Sequence, residues 1–406
     1  MAAATSPILP EDAPRAMLVS RSAARPAVRP FAGILDPVIV EDPIRFTFAG
    51  SISRRHAQAI WIWMARDLGA DLLDLNRVEA ASLEPGDFEP AIPQLLIRAR
   101  EAVLAVKSNP EAERRLHSHL GGEEGYERLP VVLNALRGRA LLDKAQSFGR
   151  ASNAIAEESA LATALQSMPL HDPALAALLF HAAIGQTTNP TKTVGAVLRV
   201  AGSEQEAAVL RVGFGPLIDA ILAHAQNQLF PMQPMGSYAD IDLTCRAIER
   251  FHRLIRSIAA FIELSRNSRW GQIMGILTRQ VSERIEPRLR TVVSDINQGL
   301  RQGREGADRL DTDRLLAGLN GCYLLAAVRG ARDSLALNAM AEQAWVQSGQ
   351  VIEMNITRNL DLLRQSPGDA IIAGRTDLGI KMAEVRFGAE YAQTLRRARA
   401  GVDRRN

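Results

Sequence analysis

IDLTCRAIERFHRLIRSIAAFIELSR, residues 241–266, sorts its side chains onto two faces of one helix. Ile248, Phe251, Ile255, Ile258 and Ile262 recur at steps of three and four, the spacing that lines up side chains along one side of an α-helix. Arg246, Arg250, Arg253 and Arg256 run along the opposite side. The same period continues through residues 270–300, with Met274, Leu277, Val281, Ile285, Leu289, Val292, Ile296 and Leu300 on one stripe. Asp311 or Thr312 can cap a further helix, Trp345, Ile352, Ile356, Leu360 and Leu363 mark another, and a last one is predicted over residues 369–398. Helices of this length need a chain nearly free of proline, whose ring removes a donor and clashes with the preceding turn. Residues 235–406 contain only two prolines, Pro287 and Pro367. Pro287 falls inside the 270–300 stretch and is predicted to kink or split it. Long helices joined by short turns describe an antiparallel bundle over residues 238–406, ending in a basic tail with Arg396, Arg397, Arg399, Arg404 and Arg405.

Working back toward the N-terminus, LFPMQPMGS, residues 229–237, combines two prolines with a glycine, and residues 231–237 are the best candidate hinge. Residues 45–230 read as shorter helices broken by turn signals at Pro110, Gly121–Gly122, Pro130, Pro169–Pro173, Asn189–Pro190 and Gly215–Pro216. Such pieces suit helical hairpins or an irregular α-solenoid, although no repeat holds a constant register. Residues 51–69 form the first helix of this region, with Ser51 or Ser53 as N-cap and Ala57, Ile60, Trp61, Met64 and Leu68 on its apolar side. Trp63 points about 160° away from Trp61 and must meet a second surface, preferably another helix. IRFTF, residues 44–48, alternates and is rich in aromatic and branched residues, so one short strand is expected there. Residues 1–44 hold seven prolines and no period, which describes an extended or disordered arm. Within it FAGILDPVIV, residues 31–40, is apolar enough for Phe31, Ile34 and Val38 to dock on the body or on a partner. The fold class is therefore all-α, with at most one short strand.

The totals narrow the function classes. A 47% apolar fraction is too high for wholesale disorder, and a net charge of +3 excludes a polycation. Only four of the basic residues are lysines against 44 arginines, a bias that points to a GC-rich bacterial genome. Two cysteines, Cys245 and Cys322, supply neither a disulfide framework nor a zinc knuckle, which fits a reducing cytoplasm. No run approaches the roughly 18 apolar residues of a membrane span. The opening MAAATSPILPEDAP lacks the basic region and apolar run of a secretory signal.

No motif carries a chemistry. GQTTNPTKT, residues 185–193, lacks the second glycine of a phosphate loop, and an alanine-rich helix precedes it where a strand is needed. Gly213–Phe214–Gly215–Pro216 has no third glycine, and its proline removes a donor. Cys245 and His252 share a helical face, but two ligands do not close a metal site. Arg114–His119 and Arg246–His252 are similar in spacing to the catalytic pair of helical HEPN ribonucleases, and the resemblance implies a nuclease. About 2.3 such pairs are expected by chance in a chain of this composition, so two are no enrichment. Residues 246–309 hold 13 arginines against seven acids. Such a face is ordinarily just solvated, but it can also meet phosphates, an anionic membrane surface or an acidic protein. The sequence thus points to a non-catalytic scaffold, adaptor or regulator with a protein partner and a potential to self-associate. A nucleic-acid-associated regulator is the alternative and a helical enzyme the third reading. The candidate partner contacts are Phe31, Ile34, Val38, Trp63, Arg246, Arg250, Arg253 and Arg256, with no cofactor.

Overall fold

The computed structural model of the chain describes residues 30–41, 45–106, 109–232, 240–303 and 309–403. The fold is all-α apart from two two-residue strands. Strands β1 (Ile39–Val40) and β2 (Ile52–Ser53) pair in parallel, Ile39 opposite Ile52. The helices of the first half are α1 (Arg54–Trp63), α2 (Leu75–Glu79), α3 (Pro85–Phe88), α4 (Ile92–Val106), α5 (Pro110–His119), α6 (Glu123–Arg137), α7 (Arg139–Ser152), α8 (Glu158–Gln166) and α9 (Pro173–Gln186). They continue as α10 (Pro190–Ala201), α11 (Glu206–Arg211), α12 (Gly215–Asn227), α13 (Ile241–Ala259), α14 (Arg269–Leu300), α15 (Thr312–Gly330), α16 (Asn338–Gln365), α17 (Ala370–Phe387) and α18 (Ala389–Asp403).

The chain divides into two compact units, one of Met1–Asp36 with Gln58–Tyr126 and one of Pro37–Ala57 with Glu127–Asn406. In the first, Phe31 packs edge-on against Trp61 at 5.1 Å between ring centroids and lies 6.1 Å from Phe88, while Trp61 meets Phe88 at 5.1 Å. Phe31 and Ala32 both hold φ of +52°, a left-handed conformation that costs about 1–2 kcal/mol per residue without a glycine. Burial of the Phe31 ring offsets that strain. After α1 the backbone widens into a π-helical turn, Met64–Leu68. Arg98 holds its end, donating to the Leu68 carbonyl at 2.6 Å while pairing with Asp71, whose carboxyl it lowers to about 2.

In the second unit, Ser53 Oγ accepts from the His56 amide at 3.1 Å and so opens α1. The extended element expected at residues 44–48 falls on either side of that stretch, and Ile44 itself lies outside the described residues. Side chains take up the intervening backbone. The amides of Arg45 and Phe46 donate to Gln226 Oε1 at 3.1 and 2.9 Å, and Gln226 Nε2 donates to the Phe46 carbonyl at 3.0 Å. Asn227 binds Glu41 N and the Ile39 carbonyl in the same way. With its hydrogen bonds already made, the stretch needs no strand partner.

Several turn signals are helix starts. Asn189 Oδ1 accepts from the Lys192 amide, with Pro190 at the first position of α10, so the phosphate-loop look-alike is an N-cap. Asp172 caps α9 in the same manner. Two prolines lie inside helices without splitting them. Pro130 lies within α6, and Pro287 within the 32 residues of α14.

Helices α14 to α17 form an antiparallel bundle. A Cβ on Gly299 would meet Leu315, one on Gly318 would meet Ile296, and one on Gly321 would meet Val292, all within 3.3 Å, so α14 and α15 run past each other in opposite directions at close range. Gly349 against Arg386 and Gly379 against Ile356 place α16 and α17 likewise. One apolar core runs from α8 through α12 and α13 into this bundle, including Leu229 and Ile241 on either side of the expected hinge and Met232 at its start. Most of that hinge, residues 233–237, lies outside the described residues. So do residues 1–29 of the expected arm, whereas residues 31–40 form short turns and β1.

Candidate functional site

A cleft of about 530 Å³ opens between α13 and α15. Asp242, Cys245, Glu249, His252 and Arg253 line one wall. Their spacing of three, four, three and one gives a polar stripe beside the apolar stripe of the same helix. Tyr323 stands on the other wall, and Ala326, Ala327, Gly330 and Ala331 make a floor with no side chain beyond Cβ. This small-residue run leaves the space open: larger side chains at these positions would fill it. His252 fixes one end of the cleft through Nδ1, 2.9 Å from Ser334 Oγ in the turn Arg332–Ser334 that follows α15.

Three of the groups on the walls, Cys245, Tyr323 and His252, are shifted toward their neutral forms. Burial, helped by the negative charge of Glu249 and Asp242, pushes the Cys245 thiol up to about 12. Burial and the nearby Glu384 carboxylate raise Tyr323. His252 is lowered by burial and then by the Arg256 guanidinium. Asp242 is engaged by Arg246, whose Nε donates to Oδ1 at 3.2 Å. Glu249 and Arg253 are exposed and have no ion-pair partner among the described residues. A thiol raised this far is not a thiolate nucleophile at neutral pH. Seven residues of helix separate Cys245 from His252 by about 10 Å, beyond proton-transfer reach. The arrangement offers hydrogen bonds, two free charges and an apolar floor, which is the equipment of a binding site.

The four arginines foreseen as one outward stripe have three different fates. Arg246 is exposed but paired with Asp242. Arg250 turns inward and caps the C-terminus of α9, with Nη1 3.1 Å from the Thr187 carbonyl and Nη2 3.1 and 3.2 Å from those of Ile184 and Gly185. Arg253 and Arg256 remain exposed and, among the described residues, unpaired. Of the apolar candidates, Phe31 is buried against Trp61 and Phe88, Val38 and Trp63 are buried, and Ile34 is half-buried. Phe31, Ile34 and Trp63 belong to the first unit and Val38 to the second. Glu249 and Tyr323 escaped the sequence reading as site residues. The signal that could have found them is the small-residue run in GCYLLAAVRG, residues 321–330, which leaves room beside a polar stripe.

The histidines do not converge. Only His252 lines the cleft. His119 lies 3.3 Å from Asp67, and His117 lies tilted against Tyr126 at 4.3 Å between ring centroids. Arg114 donates to the Pro110 carbonyl of its own helix. His181 and His224 stack at 4.4 Å inside the second unit, where His224 Nε2 lies 2.8 Å from the His181 carbonyl. Among the described residues, no three His, Cys, Asp or Glu are placed to hold a metal ion, and no helix is long and apolar enough to cross a membrane. No protein-family model matches the chain, and no curated protein or solved structure matches it.

Proposed function

We propose that this chain is a non-catalytic interaction protein of the bacterial cytoplasm, a scaffold, adaptor or regulator that holds a protein partner at the exposed edge of α13. The observation that carries the reading is the pair Arg253 and Arg256, exposed charges left uncompensated among the described residues while Arg246 and Arg250 are engaged internally. Arginine is the side chain best suited to such a contact, since its planar fork binds carboxylates with two hydrogen bonds and loses little hydration. The partner surface is therefore acidic. A tagged full-length chain should retain a partner from lysate, and the double variant Arg253→Glu, Arg256→Glu should lose at least about tenfold of that capture, as charge reversal at a contact centre does. Equal capture by the double variant, with an unchanged circular dichroism spectrum, would sink the proposal.

The same two arginines favour a second reading, a regulator bound to nucleic acid. Two phosphate contacts predict a shallow salt dependence, a slope of roughly −2 in log K against log salt. Absence of DNA and RNA binding at about 50 mM salt, where phosphate contacts are strongest, would end that reading.

A further inference from the structure

We propose that the cleft between α13 and α15 binds a free α-amino acid with an apolar side chain. Glu249 and Arg253 stand one turn apart on α13, roughly 6 Å between their Cβ atoms, yet make no ion pair with each other or with any other described residue. Both line the cleft. A lone anion would gain Arg253 but be repelled by Glu249 and Asp242, and a lone cation would meet the reverse. A ligand bearing ammonium and carboxylate on a single carbon satisfies both charges at once, the ammonium toward Glu249 and the carboxylate toward Arg253. The termini of a longer peptide lie too far apart to bridge residues one turn apart.

The rest of the cleft suits such a molecule. The floor at Ala326 and Gly330 is apolar and unobstructed, and takes a hydrocarbon side chain. His252 and Tyr323 are held neutral, so they offer hydrogen bonds without upsetting the charge balance. The volume of about 530 Å³ lies in the range of small-molecule sites. Charge-assisted hydrogen bonds at both ends give selectivity for the zwitterion over its blocked derivatives.

This site goes beyond the partner-binding role and does not rest on it: the two share Arg253, but Arg256, the other half of the partner contact, lies outside the cleft lining, so Arg256→Glu separates them. The test is calorimetric titration of the full-length chain with L-leucine and L-phenylalanine, followed by their N-acetyl and methyl-ester derivatives. Saturable binding is expected for at least one free amino acid, weakened at least about tenfold by either blocking group, as loss of a charged hydrogen-bond partner requires. Glu249→Gln and Arg253→Met should each weaken it comparably, Ala326→Leu should abolish it by filling the floor, and Arg256→Glu should leave it unchanged. Glu249, Arg253 and Arg256 are exposed, so these variants keep their fold. No binding of any free amino acid at millimolar concentration overturns the proposal, as does equal binding of the N-acetyl or ester forms.

Discussion

Arg250 and the stacked pair His181 and His224 show how strongly one residue's surroundings decide its chemistry. His181 is completely buried and neither ring nitrogen has a hydrogen-bond partner among the described residues, while His224 sits in contact with it and in the field of Arg250. Burial is the main cause that lowers both, His224 to about 4; a charge on His224 would also face the Arg250 guanidinium, and one on His181 would face His224. An unfolded histidine takes up its proton near pH 6.5, well before the folded one does. The unfolded state thus binds more protons in that interval. The contribution of the pair to stability is complete above about pH 6.5 and is lost as pH falls toward 4, by up to about 1.4 kcal/mol per pH unit for each proton. Urea titrations at pH 7.5 and pH 5 should show this loss, and His181→Phe should flatten it. An identical slope in the variant would assign the acid sensitivity elsewhere. None of this was legible in the sequence, where His181 is one more residue of an alanine-rich helix and Arg250 one of four on a stripe.

Among the elements, the long helices were the most legible, because steps of three and four sustained along the chain fit an α-helix and no extended structure. The stripe Ile248, Phe251, Ile255 and Ile258 is buried as expected, and α14 keeps its apolar face through Pro287. A proline removes one hydrogen bond, and packing along 32 residues outweighs that local cost. The expected strand at residues 44–48 shows the opposite case. Its alternation is real, but Gln226, some 180 residues away, supplies the hydrogen bonds that a strand would have supplied. Close helix approaches belong to the same scale. A Cβ on Gly149 of α7 would lie 2.1 Å from the Ala183 carbonyl oxygen of α9. Gly149→Ala must push the two helices apart, and a loss of about 1–3 kcal/mol is expected from overpacking. Thermal denaturation of the variant checks this, and an unchanged melting temperature would mean that α7 shifts freely.

For the whole molecule, the division into units does not follow the chain order. Residues 31–36 belong with the helices after Gln58, while residues 37–57 belong with the large second unit. Phe31 is the anchor of the first unit, and Phe31→Ala should cost about 3–5 kcal/mol, the range for truncating a buried phenylalanine. Hydrogen exchange should record lost protection in α1 and α3 with α14 to α17 unchanged, and uniform loss across both units would contradict this assignment. The sequence by itself determined the all-α class, the long helices and the absence of a recognisable catalytic motif, because period, capping and proline placement act over a few neighbouring residues. Only the tertiary structure decided which arginines remain free, where the extended segment docks and that a cleft exists between α13 and α15. Each of those depends on residues brought together from distant parts of the chain, such as Arg250 with Ile184 or Glu249 with Tyr323, and no local pattern records that pairing.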